Sequence, residues 1–231
     1  MRAIIAGIVS SVILIGLVLS HDNAVRWVAS KHVVMVLHES GGGGTGFFIE
    51  EGGESFILTN SHVCDTESTL IISTGGTGDV IAIDEDRDLC LLVPSKAHSG
   101  GITLADSWVK GEAIRVLGHG LLLPLHEQLG RVEDQVEQWI IWQEAPCADG
   151  QREEMTWFGS PICAKLFPDV LFLSADIKPG NSGSPVIDVL GHAVGIVFAG
   201  GGGFGYAIPV EEIRGFISEL RLGSGLCVVE H

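Results

Sequence analysis

The stretch Asp176-Ile177-Lys178-Pro179-Gly180-Asn181-Ser182-Gly183-Ser184-Pro185-Val186-Ile187-Asp188 decides how the rest of the chain is read. It is a polar turn set between the apolar residues Val170 to Leu173 and a second apolar run, with a glycine-flanked serine at its centre. A neutral serine hydroxyl is a poor nucleophile, so acyl transfer needs a base beside it and donors for the oxyanion that forms. Gly180 is free to take backbone angles that bring its N–H and that of Ser182 onto one point, while Gly183 lets a substrate approach closely. Taken alone, the stretch also reads as a Gly/Ser turn between two strands, which is the commoner object.

Two upstream stretches change that balance. Leu58-Thr59-Asn60-Ser61-His62-Val63 puts a histidine at the end of an apolar strand, and Asp88-Leu89-Cys90-Leu91-Leu92 puts a carboxylate at the start of another. In an extended chain Asp84, Asp86 and Asp88 share a face, so each is a candidate acid. Asp88 abuts the apolar run Leu89 to Val93, where a carboxylate is buried against His62 and fixes its tautomer. A calcium loop does not fit the alternating aspartates, because Leu89 and Ser95 occupy the positions that require Gly and Glu. The chain order His62, Asp88, Ser182 is that of the chymotrypsin-type triad.

With Gly44-Thr45-Gly46-Phe47-Phe48-Ile49 and Gly205-Tyr206-Ala207-Ile208-Pro209, these stretches resemble the ordered signature of trypsin-like peptidases of the HtrA/Deg type. Ser184 departs from the family, which usually has a second glycine there, and the sequence after the peptidase pattern leaves no room for the PDZ domain that many HtrA proteins carry. The resemblance implies an all-β fold of two six-stranded antiparallel β-barrels, barrel one over about 25–97 and barrel two over about 102–209, with a helix over about 210–222. It also implies a serine endopeptidase acting on polypeptides, with His62, Asp88 and Ser182 as catalytic residues and the N–H groups of Gly180 and Ser182 as the oxyanion hole. In trypsin-like enzymes the residue at the offset of Asp176 floors the pocket for the side chain preceding the scissile bond. Asp176 there would favour Arg or Lys, with Phe198, Ala199 and Gly200 as the wall. HtrA-type enzymes mostly prefer small aliphatic residues, so both specificities stand at this point. The alternative from a different class is a catalytically silent binding or scaffold protein on the same fold.

Composition is consistent with this reading. Thirty-two glycines between short apolar runs favour strands and turns. A formal net charge of −16 argues against nucleic acid, whose recognition needs clustered Lys and Arg. No cofactor or metal is implied: the nine histidines show no paired ligand spacing. Ala3 to Leu19 is apolar apart from small residues and follows Arg2, so residues 1–20 read as a signal peptide or, since no Ala-x-Ala site follows, a membrane anchor. The peptidase domain over 21–231 is then exported, touching a membrane only through that segment.

Several elements are expected along the chain. Val25 to Leu37 reads as a first strand, Gly46–Glu50 and Ser55–Thr59 as a hairpin, and Thr69–Ser73 and Asp79–Ile83 as the next pair. Ile102–Ala105 and Glu112–Gly118 open the second half. Leu121–Glu127 and Gly130–Val132 read as a hairpin, Trp139–Trp142 as a strand, and Glu144 to Phe167 as a loop-rich insertion. Pro209, Glu211, Glu212, Arg221 and Gly223 frame a helix whose apolar face is Val210, Ile213, Phe216, Ile217 and Leu220. Of the five cysteines, Cys64 and Cys90 read as buried thiols, while Cys147 and Cys163 bracket one loop and would be bridged in an exported protein.

Overall fold

The computed structural model describes residues 20–39, 41–64, 69–144, 147, 150–155, 161–222 and 227–228. The expected leader or anchor lies outside them, apart from residue 20. Among the described residues no helix is long and apolar enough to cross a membrane.

The architecture follows from strands buried on both faces. Along β2 (Gly43–Glu51), Phe47 and Ile49 point one way and Phe48 the other, as a period of two requires, and all three are buried. Phe48 joins Val34, Val36, Ile57, Leu70, Val80 and Leu92 in the interior of the first sheet. Phe47 and Ile49 join a separate cluster that also takes Leu117, Ile196, Phe198 and Ile208 from the second. The same division runs along β6 (Leu89–Pro94), where Leu89 and Leu91 face the seam and Cys90 and Leu92 the interior. Each such side chain, fully buried, contributes about 1.5–3 kcal/mol. The seam between the two sheets is therefore as apolar as either interior.

The first sheet contains β1 (Val33–His38), β2, β3 (Glu54–Thr59), β4 (Leu70–Ile72), β5 (Thr77–Asp84) and β6, and the pairing of β5 with β6 closes a six-stranded barrel. The second contains β7 (Ala113–Gly118), β8 (His126–Glu144), β9 (Gln151–Met155), β10 (Pro161–Leu173), β11 (Pro185–Ile187), β12 (Ala193–Gly201) and β13 (Phe204–Pro209), in the order β13-β12-β11-β7-β8-β10-β9, with β10 also paired to β13. A helix, α1 (20–30), precedes β1, and α2 (Val210–Leu222) follows β13. The short β14 (Cys227–Val228) adds to β5. As expected, α2 buries Val210, Ile213, Phe216 and Ile217, with Glu211 and Glu212 in its first turn and Arg221 in its last.

Four expectations of secondary structure are corrected. Residues 20–30 are helical rather than the opening of a strand: Val25, Val28 and Ala29 recur at helical spacing, and Asp22 and Arg26 on another face pair with Arg115 and Glu127. Leu121 to Val132 is not a hairpin, because β8 runs unbroken through Gly130. A Cβ at that position would lie 2.8 Å from the Ser174 carbonyl oxygen, so the glycine marks a close approach of backbones rather than a turn. The described residues between Glu144 and Phe167 are largely β-structure, β9 pairing with β10 in register, and the polar sequence of β9 hides that strand. Ile102 to Ala105 forms only an isolated bridge from Leu104 to Ala193.

Cys147 and Cys163 are bridged as expected. Cys64 and Cys90 are corrected from thiols to a second disulfide. The antiparallel register that pairs Thr59 with Cys90 brings the turn after β3 back over the start of β6, which places the two sulfurs within reach.

Candidate active site

The β3–β6 register carries further consequences. With Thr59 opposite Cys90, the residues just past Thr59 meet those just before Cys90. The chain turns there through a short 3-10 segment, Ser61–Val63, which presents the His62 ring outward with its Nδ1 toward Asp88. The His62 Nδ1–H donates to Asp88 Oδ2 at 2.8 Å and lies 3.0 Å from Oδ1. Asp88 is fully buried and also accepts from the Ser61 hydroxyl at 2.8 Å and the His62 backbone N–H at 3.1 Å. Asn60 Nδ2 donates to the Asp88 carbonyl. Four donations from three neighbouring residues thus fix one carboxylate-bearing residue. The other two aspartates are elsewhere: Asp84 pairs with Arg87, and the Asp86 side chain is fully exposed.

Ser182 arrives from the second sheet, on the loop between β10 and β11. His62 and Ser182 both line a cleft of about 560 Å³, whose walls include Trp139, Ile141, Ile177, Phe198, Gly200 and Tyr206. The Ser182 hydroxyl lies 3.3 Å from the Phe198 carbonyl, and one staggered rotation redirects it. A larger recess of about 800 Å³ beside α1, lined in part by Trp27, Leu117 and His126, contains none of the three.

Gly180 and Gly183 have φ of 89° and 85°. A Cβ at 183 would sit 1.8 Å from the Thr45 carbonyl oxygen, and one at 180 would sit 2.7 Å from that of His119, so both positions require glycine. The Pro179 carbonyl accepts from Leu121 N–H at 2.5 Å. Carbonyl and N–H of a trans peptide point opposite ways, so this bond turns the Gly180 N–H away from the 120–122 loop. Among the described residues neither Gly180 nor Ser182 N–H has an acceptor. The Ser184 Oγ occupies the space where a Cβ at Gly118 would stand, at 2.0 Å, and is buried without a hydrogen-bond partner among the described residues.

Asp176, expected to shape the cleft, is not among the residues that line it. Asp176 is about half exposed and pairs with Lys178 at 2.8 Å, outside the residues that line the cleft. Ile177 takes the interior place: it is 3% exposed and wedged between Gly200 and Gly205, where added Cβ atoms would come within 2.4 and 2.3 Å of it. Phe198, Ala199 and Gly200 do line the cleft.

Sequence reasoning missed Thr45. This fully buried residue touches the 180–182 loop twice, through its N–H to the Ser182 carbonyl and its hydroxyl to the Gly180 carbonyl. His119 was missed as well. It is buried beneath the same loop, and burial pushes its imidazole pKa down against the opposing effect of its bond to the Leu123 carbonyl.

Residues 44–196 match the trypsin-like peptidase domain, and the chain belongs to that family. It is similar to HtrA-type relatives: it is 29% identical over 194 residues to the serine protease Do-like HtrA of Bacillus subtilis, covering 79% of this chain and 40% of that protein. It is 28% identical over 197 residues to the putative serine protease HhoA of Synechocystis, covering 79% and 44%. The chain therefore spans less than half the length of these relatives. Among solved structures, the active form of the Rv3671c protease from M. tuberculosis superposes with a TM-score of 0.67 at 19% identity, covering 89% of this chain and 85% of that one. The HtrA-type protease AlgW with a tripeptide gives 0.63 at 21%, covering 83% and 60%. At those identities the superpositions establish the fold, an all-β chymotrypsin-like arrangement of a closed barrel, a second sheet and a C-terminal helix.

Proposed function

We propose that this chain is a serine endopeptidase that cleaves polypeptides through an acyl-enzyme. The observation that carries the proposal is the His62 imidazole held by a buried Asp88 at the rim of the cleft that also contains Ser182. In this reading Ser182 Oγ attacks the peptide carbonyl while His62 Nε2 takes its proton. Asp88 keeps the proton of His62 on Nδ1 and stabilises the cation. The oxyanion is received by the N–H groups of Gly180 and Ser182, which have no acceptor among the described residues. His62 then returns the proton to the leaving amine, and water repeats the cycle on the ester.

The side chain before the scissile bond is small and apolar, because Ile177 fills the floor between Gly200 and Gly205 while the Asp176 carboxylate is engaged outside. An Arg or Lys there would meet a hydrocarbon floor and bury its charge unpaired. In a peptide library the protein cleaves after Val, Ala and similar residues. Ile177→Ala, by deepening the pocket, extends cleavage to Leu and Phe. Enrichment of Arg or Lys that disappears in Asp176→Ala would return Asp176 to the pocket, and cleavage that persists in Ser182→Ala would remove the mechanism.

The second sheet reads as a second six-stranded barrel, closed by the β10–β13 pairing. Two disulfides suit an oxidising compartment, and relatives include a protein described as a probable periplasmic serine endoprotease, so the domain functions outside the cytoplasm, with residues 1–20 as leader or anchor.

A further inference from the structure

We infer that the Thr45 hydroxyl is a positioning group for the oxyanion hole; this rests on the serine-peptidase reading above. Thr45 lies in β2, in the opposite sheet from the nucleophile, and is fully buried. Its hydroxyl is bonded on both sides. The His119 backbone N–H donates to Oγ1 at 2.9 Å, and Oγ1 lies 2.8 Å from the Gly180 carbonyl. An N–H only donates and a carbonyl only accepts, so the hydroxyl proton has one place to go, toward Gly180.

The backbone of Thr45 closes the cradle. Its N–H donates to the Ser182 carbonyl at 2.7 Å, and its carbonyl accepts from the Thr59 hydroxyl at 2.7 Å. Thr59 ends the strand from which the chain turns into Ser61-His62. One residue therefore ties three things together: the nucleophile's peptide, the glycine whose N–H would face the oxyanion, and the strand that leads to the base.

The hydroxyl matters apart from the packing because of what it leaves behind when removed. The Gly180 carbonyl and the His119 N–H would then be buried without their partner. The remedy open to Gly180 is rotation of its flanking peptides, since at φ 89° a glycine meets no Cβ penalty in turning. Rotation there moves the oxyanion donor, and misplacement of a preorganised donor lowers the rate of the chemical step rather than the binding of substrate. A threonine that served only the core would affect stability alone.

The test compares Thr45→Val, which keeps shape and removes the hydroxyl, with Thr45→Ser, which keeps the hydroxyl. Readouts are kcat and KM on a peptide substrate, affinity for a peptide aldehyde that forms a tetrahedral adduct, and the thermal midpoint. Thr45→Val loses about 10²-fold in kcat with KM within about twofold, its aldehyde affinity falls in parallel, and Thr45→Ser restores both. A kcat for Thr45→Val equal to wild type, or equal losses in the two variants, overturns the inference. If Thr45→Val does not fold, Thr45→Cys, with a weaker donor of similar size, makes the same comparison: kcat at the Thr45→Ser level overturns the inference. Wild-type protein without Ser182-dependent cleavage would instead remove the underlying reading, so the two failures are separable.

Discussion

Asp88 has a φ of 56°, a left-handed backbone that costs most residues about 1–2 kcal/mol and Asn or Asp least. The hydrogen bonds from Asn60, Ser61 and His62 hold it there. The Asp88→Asn variant therefore keeps the backbone and folds, but its amide competes for the tautomer of His62. Its kcat/KM falls about 10⁴-fold. Steady-state kinetics beside a thermal melt checks this: a folded variant with nearly full activity would remove Asp88 from the mechanism. At this scale the sequence was uneven. Choosing Asp88 over Asp84 and Asp86 needed only its abutment to an apolar strand. Thr45 gave no such signal, because its hydroxyl acts on residues 74 and 135 positions away. Asp176, expected at the cleft, lies outside its lining while Ile177 lines it, because an offset from Ser182 does not say which of two neighbours turns inward.

At the scale of elements, α2 is pinned to the turn that carries Asp88. The Arg87 guanidinium spans Glu219 at 2.7 and 3.0 Å, Glu212 at 3.0 Å and Asp84 at 3.1 Å. The hydrogen bond to Glu219, chiefly, raises the Arg87 pKa, and the same bond lowers that of Glu219. Removing the guanidinium leaves three carboxylates facing one another. Arg87→Ala accordingly lowers the thermal midpoint and speeds proteolysis of the C-terminal helix, a loss that added salt partly recovers by screening the repulsion. Unchanged proteolysis and melting would mean that the apolar face of α2 holds it unaided. That helix was legible because its caps, charges and apolar spacing all agree locally. The β8–β10 pairing was not, since the polar β9 that lies between the two strands in the chain has no apolar alternation and Gly130 imitates a turn.

For the molecule as a whole, the seam between the sheets was legible only indirectly, as runs such as Phe47-Phe48-Ile49 that are apolar on both faces. Histidines shielded from solvent set the response to acid. His32 Nδ1 lies 2.9 Å from His98 Nε2, and His98 stacks on Phe48. Burial, chiefly, lowers both pKa values, with neighbouring His98 and Lys31 adding to the effect on His32, and burial lowers that of His119 as well. An unfolded imidazole titrates near 6.5, so just below that pH the unfolded chain binds more protons than the folded one. Stability is full above that range and declines as pH falls beneath it. The urea midpoint therefore drops between pH of about 7.5 and about 5.5. His98→Gln, which keeps a hydrogen-bonding group and does not titrate, flattens the dependence; an unaltered slope would exclude the pair as its source. The central claim, that the two sheets meet to activate Ser182, is tested most directly by labelling the folded protein with a fluorophosphonate. The account predicts one covalent adduct on Ser182, lost in Ser182→Ala and strongly slowed in His62→Ala, whereas no adduct on folded wild-type protein, or labelling indifferent to His62, would contradict it.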